Sequence, residues 1–145
     1  MEKPKTTDRK WLRNYLPMWI GQAVSLLGSG LVQFALVWYL TDQTGSANVL
    51  AMATLVALLP QVFLGPFSGA VVDRLNRKTV MIVSDSLVAL TTLALMASFM
   101  LGSIQVWHIY LAMFLRSLFG TFQMPAMSAS TTLMVPPEQY SRLGG

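Results

Sequence analysis

Residues 69–82 read GAVVDRLNRKTVMI, a compact basic loop set between two long apolar runs. The loop DRLNRK at 73–78 carries Asp73, Arg74, Arg77 and Lys78. Before it lies an uncharged run from 47 to 72, and after it another from 79 to 102 broken only by Asp85. Crossing a bilayer as a helix takes roughly 20 apolar residues, so each run is long enough. So short a connection forces the two helices antiparallel. The chain therefore enters the membrane and returns around this loop.

Working outward adds two more spans, at about 16–41 and 107–133. The loops DQTGS (42–46) and SIQV (103–106) are as short as the first. The predicted fold class is all-α integral membrane. A four-span transmembrane bundle occupies 16–133, a basic tail 1–15 precedes it, and the segment 134–145 follows. Composition agrees. The chain is 54% hydrophobic and 11% charged, against about 25% charged for a soluble domain. A soluble chain of this length could not bury so much apolar surface.

Ten residues are Lys or Arg, and leaving aside Arg116 they fall on one side of this topology. Lys3, Lys5, Arg9, Lys10 and Arg13 precede the first span; Arg74, Arg77 and Lys78 lie in the central loop; Arg142 follows the last. The positive-inside rule makes that side cytoplasmic and puts both termini there, in the cell membrane. Trp11, Tyr15, Trp19, Trp38, Tyr39, Trp107 and Tyr110 sit where interfacial aromatics belong, and His108 beside Trp107 is read as interfacial too. The first apolar run is too long for the core of a signal peptide. Basic residues flank the spans and line no face, which excludes nucleic acid as a partner. There is no cysteine, hence no disulfide framework. The chain closes on SRLGG, where another apolar run would begin, and so reads as truncated before a fifth span.

Ionisable residues inside a span are costly and mark function. There are two. Arg116 lies about 13 Å into span four, near mid-bilayer, and Asp85 about 10 Å into span three. On span four, Arg116, Gly120, Gln123 and Met127 share a face at helical spacing. Gln22, Ser29 and Gln33 form a stripe on span one, and Thr54, Gln61 and Gly65 another on span two. These stripes face either neighbouring helices or a solvated cavity. Gly28, Gly30, Gly65 and Gly69 suit close helix packing. Pro60, Pro66 and Pro125 favour kinks. Asp73, at the end of span two, meets an unfavourable helix dipole and needs a compensating partner.

Gly69, Asp73, Arg74, Arg77 and Lys78 resemble the signature loop of the major facilitator superfamily, G-x-x-x-D-R-x-G-R-[KR]. Asn76 stands where that signature has its second Gly, and Asn tolerates left-handed backbone better than most residues. RSLFG, from Arg116 to Gly120, resembles the R-x-x-x-G signature of helix four in proton-coupled members. GQAVSLLGSG, LPQVFLGPFSGAVVDR and LMVPPEQYSRLGG are similar to the macrolide-efflux-like branch of drug:proton antiporters.

The resemblance implies the first four helices of a twelve-helix fold that exports drugs against protons. It implies gating by residues 69–78 against C-terminal helices, and proton coupling through Arg116. Asp85, the one acid well inside a span, is either a proton carrier or, the favoured reading, a local hydrogen-bonding residue near the cytoplasmic end that holds the 73–78 loop. It implies a cavity lined by Gln22, Ser29, Gln33, Gln61, Gly120 and Gln123. The partners are then an amphipathic macrolide-like drug, protons, the lipid bilayer and the rest of the transporter. The alternative is a self-contained four-span protein, either a small multidrug exporter or a non-transporting scaffold. Small exporters use a Glu in span one, which 16–40 lacks. No catalytic set, metal cluster or cofactor motif is present, so no enzyme is expected.

Overall fold

The computed structural model describes residues 10–134, with side-chain environments for residues 16–130. Those residues are helical apart from short turns. The helices are α1 (Lys10–Thr44), α2 (Ala47–Arg74), α3 (Arg77–Met100), α4 (Val106–Gly120) and α5 (Gln123–Met134). The expectations for the tails 1–9 and 135–145 lie outside the described residues. Three stretches, Leu16–Thr44, Ala47–Arg74 and Arg77–Met100, are long and apolar enough to cross a membrane.

The turns follow from local chemistry. Gly45 and Gly102 adopt φ values of 55° and 63°, the left-handed region that glycine enters without a Cβ penalty. Each ends a helix and reverses the chain. The central loop reverses differently. Asn76 sits at φ −70° and ψ 111°, as the N-cap of α3. Its side-chain oxygen accepts from the Lys78 and Thr79 amides at 3.1 and 3.4 Å. Asn76 does not use the left-handed backbone it tolerates: it caps a helix from extended backbone, which Asn does well.

Span four is not one continuous helix. It breaks at Thr121–Phe122 into α4 and α5. Pro125 has no N–H to give the Thr121 carbonyl, so the ladder loses a bond there. The Thr121 amide and hydroxyl both go to the Ser117 carbonyl, at 2.9 and 2.7 Å. The Phe122 amide reaches only Phe119, at 3.4 Å. The 15 residues of α4 rise about 22 Å, short of the roughly 30 Å hydrocarbon core.

Helix α4 packs most extensively on α2 and α3, while α5 lies mainly on α3. Two apolar clusters hold the bundle. One joins Leu36, Leu40, Ala53, Leu95, Ile109, Ala112 and Met113 at the Gly45 and Gly102 end. The other joins Val72, Met81 and Ala126 at the Asn76 end. Tyr39 meets Phe99 edge-to-face at 4.9 Å, and Tyr110 donates to the Val49 carbonyl at 3.1 Å. Between the clusters lies a layer of polar side chains. Outward, Leu27, Leu31, Phe34, Phe63 and Phe67 stay exposed. In water so large an apolar patch would be a liability; against lipid tails it needs no cover.

The described helices do not use the glycines for close packing. A Cβ placed on Gly28, Gly30, Gly65 or Gly69 would meet open space among the described residues. The described helices pack on other faces of α1 and α2, through buried Leu36, Leu40, Ala53, Pro60, Ser68 and Val72.

Candidate functional site

The polar layer opens into a cleft of about 270 Å³ between α1, α2 and the α4–α5 break. Ser29 and Gln33 enter from α1, Gln61 from α2, Arg116, Ser117 and Gly120 from α4, and Gln123 from α5. Three stripes read separately from sequence thus converge on one space. Gln22 is buried but does not line it, and Thr54 is exposed on α2 with its hydroxyl turned to the Leu50 carbonyl.

Arg116 is the cation of the cleft. It is 8% exposed. It donates through Nη1 to the Thr92 hydroxyl on α3 and through Nη2 to the Ser29 carbonyl on α1, the latter at 3.2 Å. Among the described residues no carboxylate pairs with it. A buried guanidinium keeps its charge, so two neutral oxygens hold a full cation. That arrangement leaves further N–H donors unspent.

Asp85 lies on a second rung. Its Oδ1 accepts from the Ser25 hydroxyl on α1 at 2.8 Å and from the Gln123 amide on α5. An ionised carboxylate there makes both bonds charge-assisted, roughly twice as strong as neutral ones. Asp85 and Thr92 are seven residues apart on α3, about 10 Å along the axis, so the anionic and cationic rungs are separate. These bonds tie α3 to α1 and to the N-terminus of α5, and among the described residues none runs from Asp85 to the 73–78 loop.

The loop itself is spare. Arg77 pairs with Asp73 at 3.6 Å, four residues apart. That is the compensating partner Asp73 needed, though Asp73 is 68% exposed and such a pair contributes little. Arg77 Nε is buried without a hydrogen-bond partner among the described residues. Arg74 and Lys78 are exposed. His108 is half-buried at the start of α4, where Nδ1 accepts from the Gln105 amide at 3.2 Å. It takes no part in the cleft.

Thr92 and Ser25 were not singled out from sequence. A signal existed: Thr92 lies two helical turns after Asp85, and Ser25 one turn before Ser29. What the sequence lacked was any sign that these faces meet.

Residues 18–145 match the Major Facilitator Superfamily. The chain is 41% identical over 137 residues to Macrolide efflux protein A of Streptococcus pyogenes, covering 93% of this chain and 33% of that one. It is 39% identical over 103 residues to Macrolide efflux protein A of Enterococcus faecalis, covering 70% and 31%. It is also 27% identical over 117 residues to Multidrug efflux pump Tap of Mycolicibacterium fortuitum, covering 81% and 28%. The chain spans about a third of the length of the curated relatives it matches. No solved structure matches. These relatives are efflux proteins and not enzymes. With three membrane-length helices, a signature loop and a buried arginine in place, the chain belongs to the major facilitator superfamily and is a multi-pass membrane protein.

Proposed function

We propose that this chain forms the N-terminal helices of a secondary exporter that moves a small amphipathic, macrolide-like drug out of the cell against an inward flow of protons. One observation carries the reading: Arg116 is buried beside a polar cleft with no carboxylate among the described residues to neutralise it. An uncompensated cation at membrane depth is expensive and is retained where charge must be sensed or moved. The names of the relatives supply the substrate class.

In this reading α4 and α5 together make the fourth crossing, and both termini and the 73–78 loop are cytoplasmic. Broken helices line substrate and ion sites in secondary transporters, and the α4–α5 break borders this cleft. Asp85, tied to α1 and α5, is the proton carrier. When it is charged, Ser25 and Gln123 bond it strongly; protonation weakens both bonds and loosens α5 from α3. Asp73 and Arg77 gate the cytoplasmic side against further helices of the transporter.

The test is drug uptake into inside-out vesicles under an imposed pH gradient. Arg116→Ala should abolish gradient-driven movement of a radiolabelled macrolide while the protein still inserts. Undiminished movement by that variant would sink the reading.

A further inference from the structure

We propose that Thr92 is the positioning residue for Arg116, a neutral clamp that aims the guanidinium at the cleft without cancelling its charge. The inference rests on the transport reading above and adds a residue to it.

The geometry is specific. The Thr92 hydroxyl donates to the Val88 carbonyl at 2.8 Å. Its one proton is therefore committed along α3, and its lone pairs are left to accept. Arg116 Nη1 donates into that oxygen from α4. Other hydroxyls of α3 also fold back on the preceding turn: Ser86 on Ile82, Thr91 on Leu87 and Ser98 on Ala94. Of these four, Thr92 is the one that also accepts from a charged side chain of another helix.

The choice of side chain matters. In a helix a threonine hydroxyl that bonds the carbonyl four residues back is held in one rotamer. The oxygen is thus a fixed point, unlike the end of a long chain. A carboxylate there would hold Arg116 more tightly, but it would pair off the charge. With Thr92 on one terminal nitrogen and the Ser29 carbonyl on the other, the guanidinium is fixed at two points and remains a full cation. Among the described residues its remaining N–H groups have no other acceptor, which leaves them for an electron-rich oxygen entering beside Gln61 and Gln123.

Thr92→Val keeps the branched shape and removes the acceptor; Thr92→Ser keeps the acceptor. Two measurements on the whole protein in proteoliposomes decide the matter. The first is the rate at which phenylglyoxal labels the peptide containing Arg116, read by mass spectrometry. It should rise severalfold in Thr92→Val and stay at the wild-type rate in Thr92→Ser. The second is the maximal rate of gradient-driven macrolide movement. It should fall about tenfold in Thr92→Val, the worth of one hydrogen bond to a charged group, and recover in Thr92→Ser. Unchanged labelling in Thr92→Val would overturn the clamp, as would faster labelling with full transport. Should Thr92→Val fail to insert, Thr92→Ala against Thr92→Ser makes the same comparison, and equal behaviour of those two overturns it. If Arg116→Ala is inactive but Thr92→Val is fully active, the clamp alone fails. If the wild type moves no macrolide, the transport reading fails, and the labelling still decides the clamp.

Discussion

Replacing Asn76 by Ala should destabilise the junction between α2 and α3 by about 1 kcal/mol, whereas Asn76→Gly should cost only a few tenths. The number comes from the geometry of the cap. Asn76 Oδ1 accepts from Lys78 at 3.1 Å and from Thr79 at 3.4 Å. Good N–H···O bonds lie between about 2.7 and 3.2 Å, so the first bond contributes most and the second little. Asn76 is exposed, and water replaces part of what is lost. One such cap lies near the middle of the roughly 0.5–2 kcal/mol range for removing it. About 1 kcal/mol is about a fivefold change in an opening equilibrium.

The assay is hydrogen exchange of the Lys78 and Thr79 amides in detergent micelles. Local opening should be about fivefold more frequent in Asn76→Ala than in the wild type, with Asn76→Gly close to wild type. Equal exchange in all three would mean that the side chain caps nothing. A Gly variant more protected than the wild type would mean that this position strains toward left-handed backbone, against the φ of −70°.

Two further expectations concern the charged residues. Asp85→Asn keeps the shape of the rung but removes the charge that strengthens the Ser25 and Gln123 bonds. It should cost about 1–2 kcal/mol of stability and uncouple drug movement from protons. Drug-dependent proton flux at the wild-type rate in that variant would exclude Asp85 as the carrier. Asp73→Asn breaks a partly exposed pair at 3.6 Å and should change stability by less than about 1 kcal/mol while slowing export. Wild-type export rates would leave the loop a topology signal and nothing more.

The two rungs also explain why this polar layer sits where it does. Apolar clusters close the bundle at both ends, and neither can accommodate a charge. The guanidinium and the carboxylate are each met by oxygen or nitrogen partners from other helices, so neither is left in hydrocarbon without a hydrogen bond. Each rung crosses from α3 to α1 and to the broken fourth element. A shift of α5 at Thr121–Phe122 would therefore be felt at Asp85 first, through Gln123.

What the sequence determined alone is the all-helical class, three of the four long apolar helices it marked, the turns between them and the presence of a charge, Arg116, inside an apolar run. These are local properties. Hydropathy over some twenty residues, glycine at a turn and the cost of a charge in hydrocarbon can all be read without knowing a neighbour. The signature loop was legible for the same reason, since its residues are contiguous.

The tertiary structure decided the rest. Which stripes converge, that Gln22 stays out of the cleft, and that Gly65 and Gly69 meet no neighbour among the described residues depend on how each helix is rotated about its axis. Periodicity defines a face but not its partner. The break at Thr121–Phe122 and the cap at Asn76 needed backbone geometry, because a proline four residues on and an Asn in a loop each allow several conformations. Thr92 makes the point most sharply. In sequence it is one hydroxyl among several on α3, and only the approach of α4 turns its spare lone pair into a hold on Arg116.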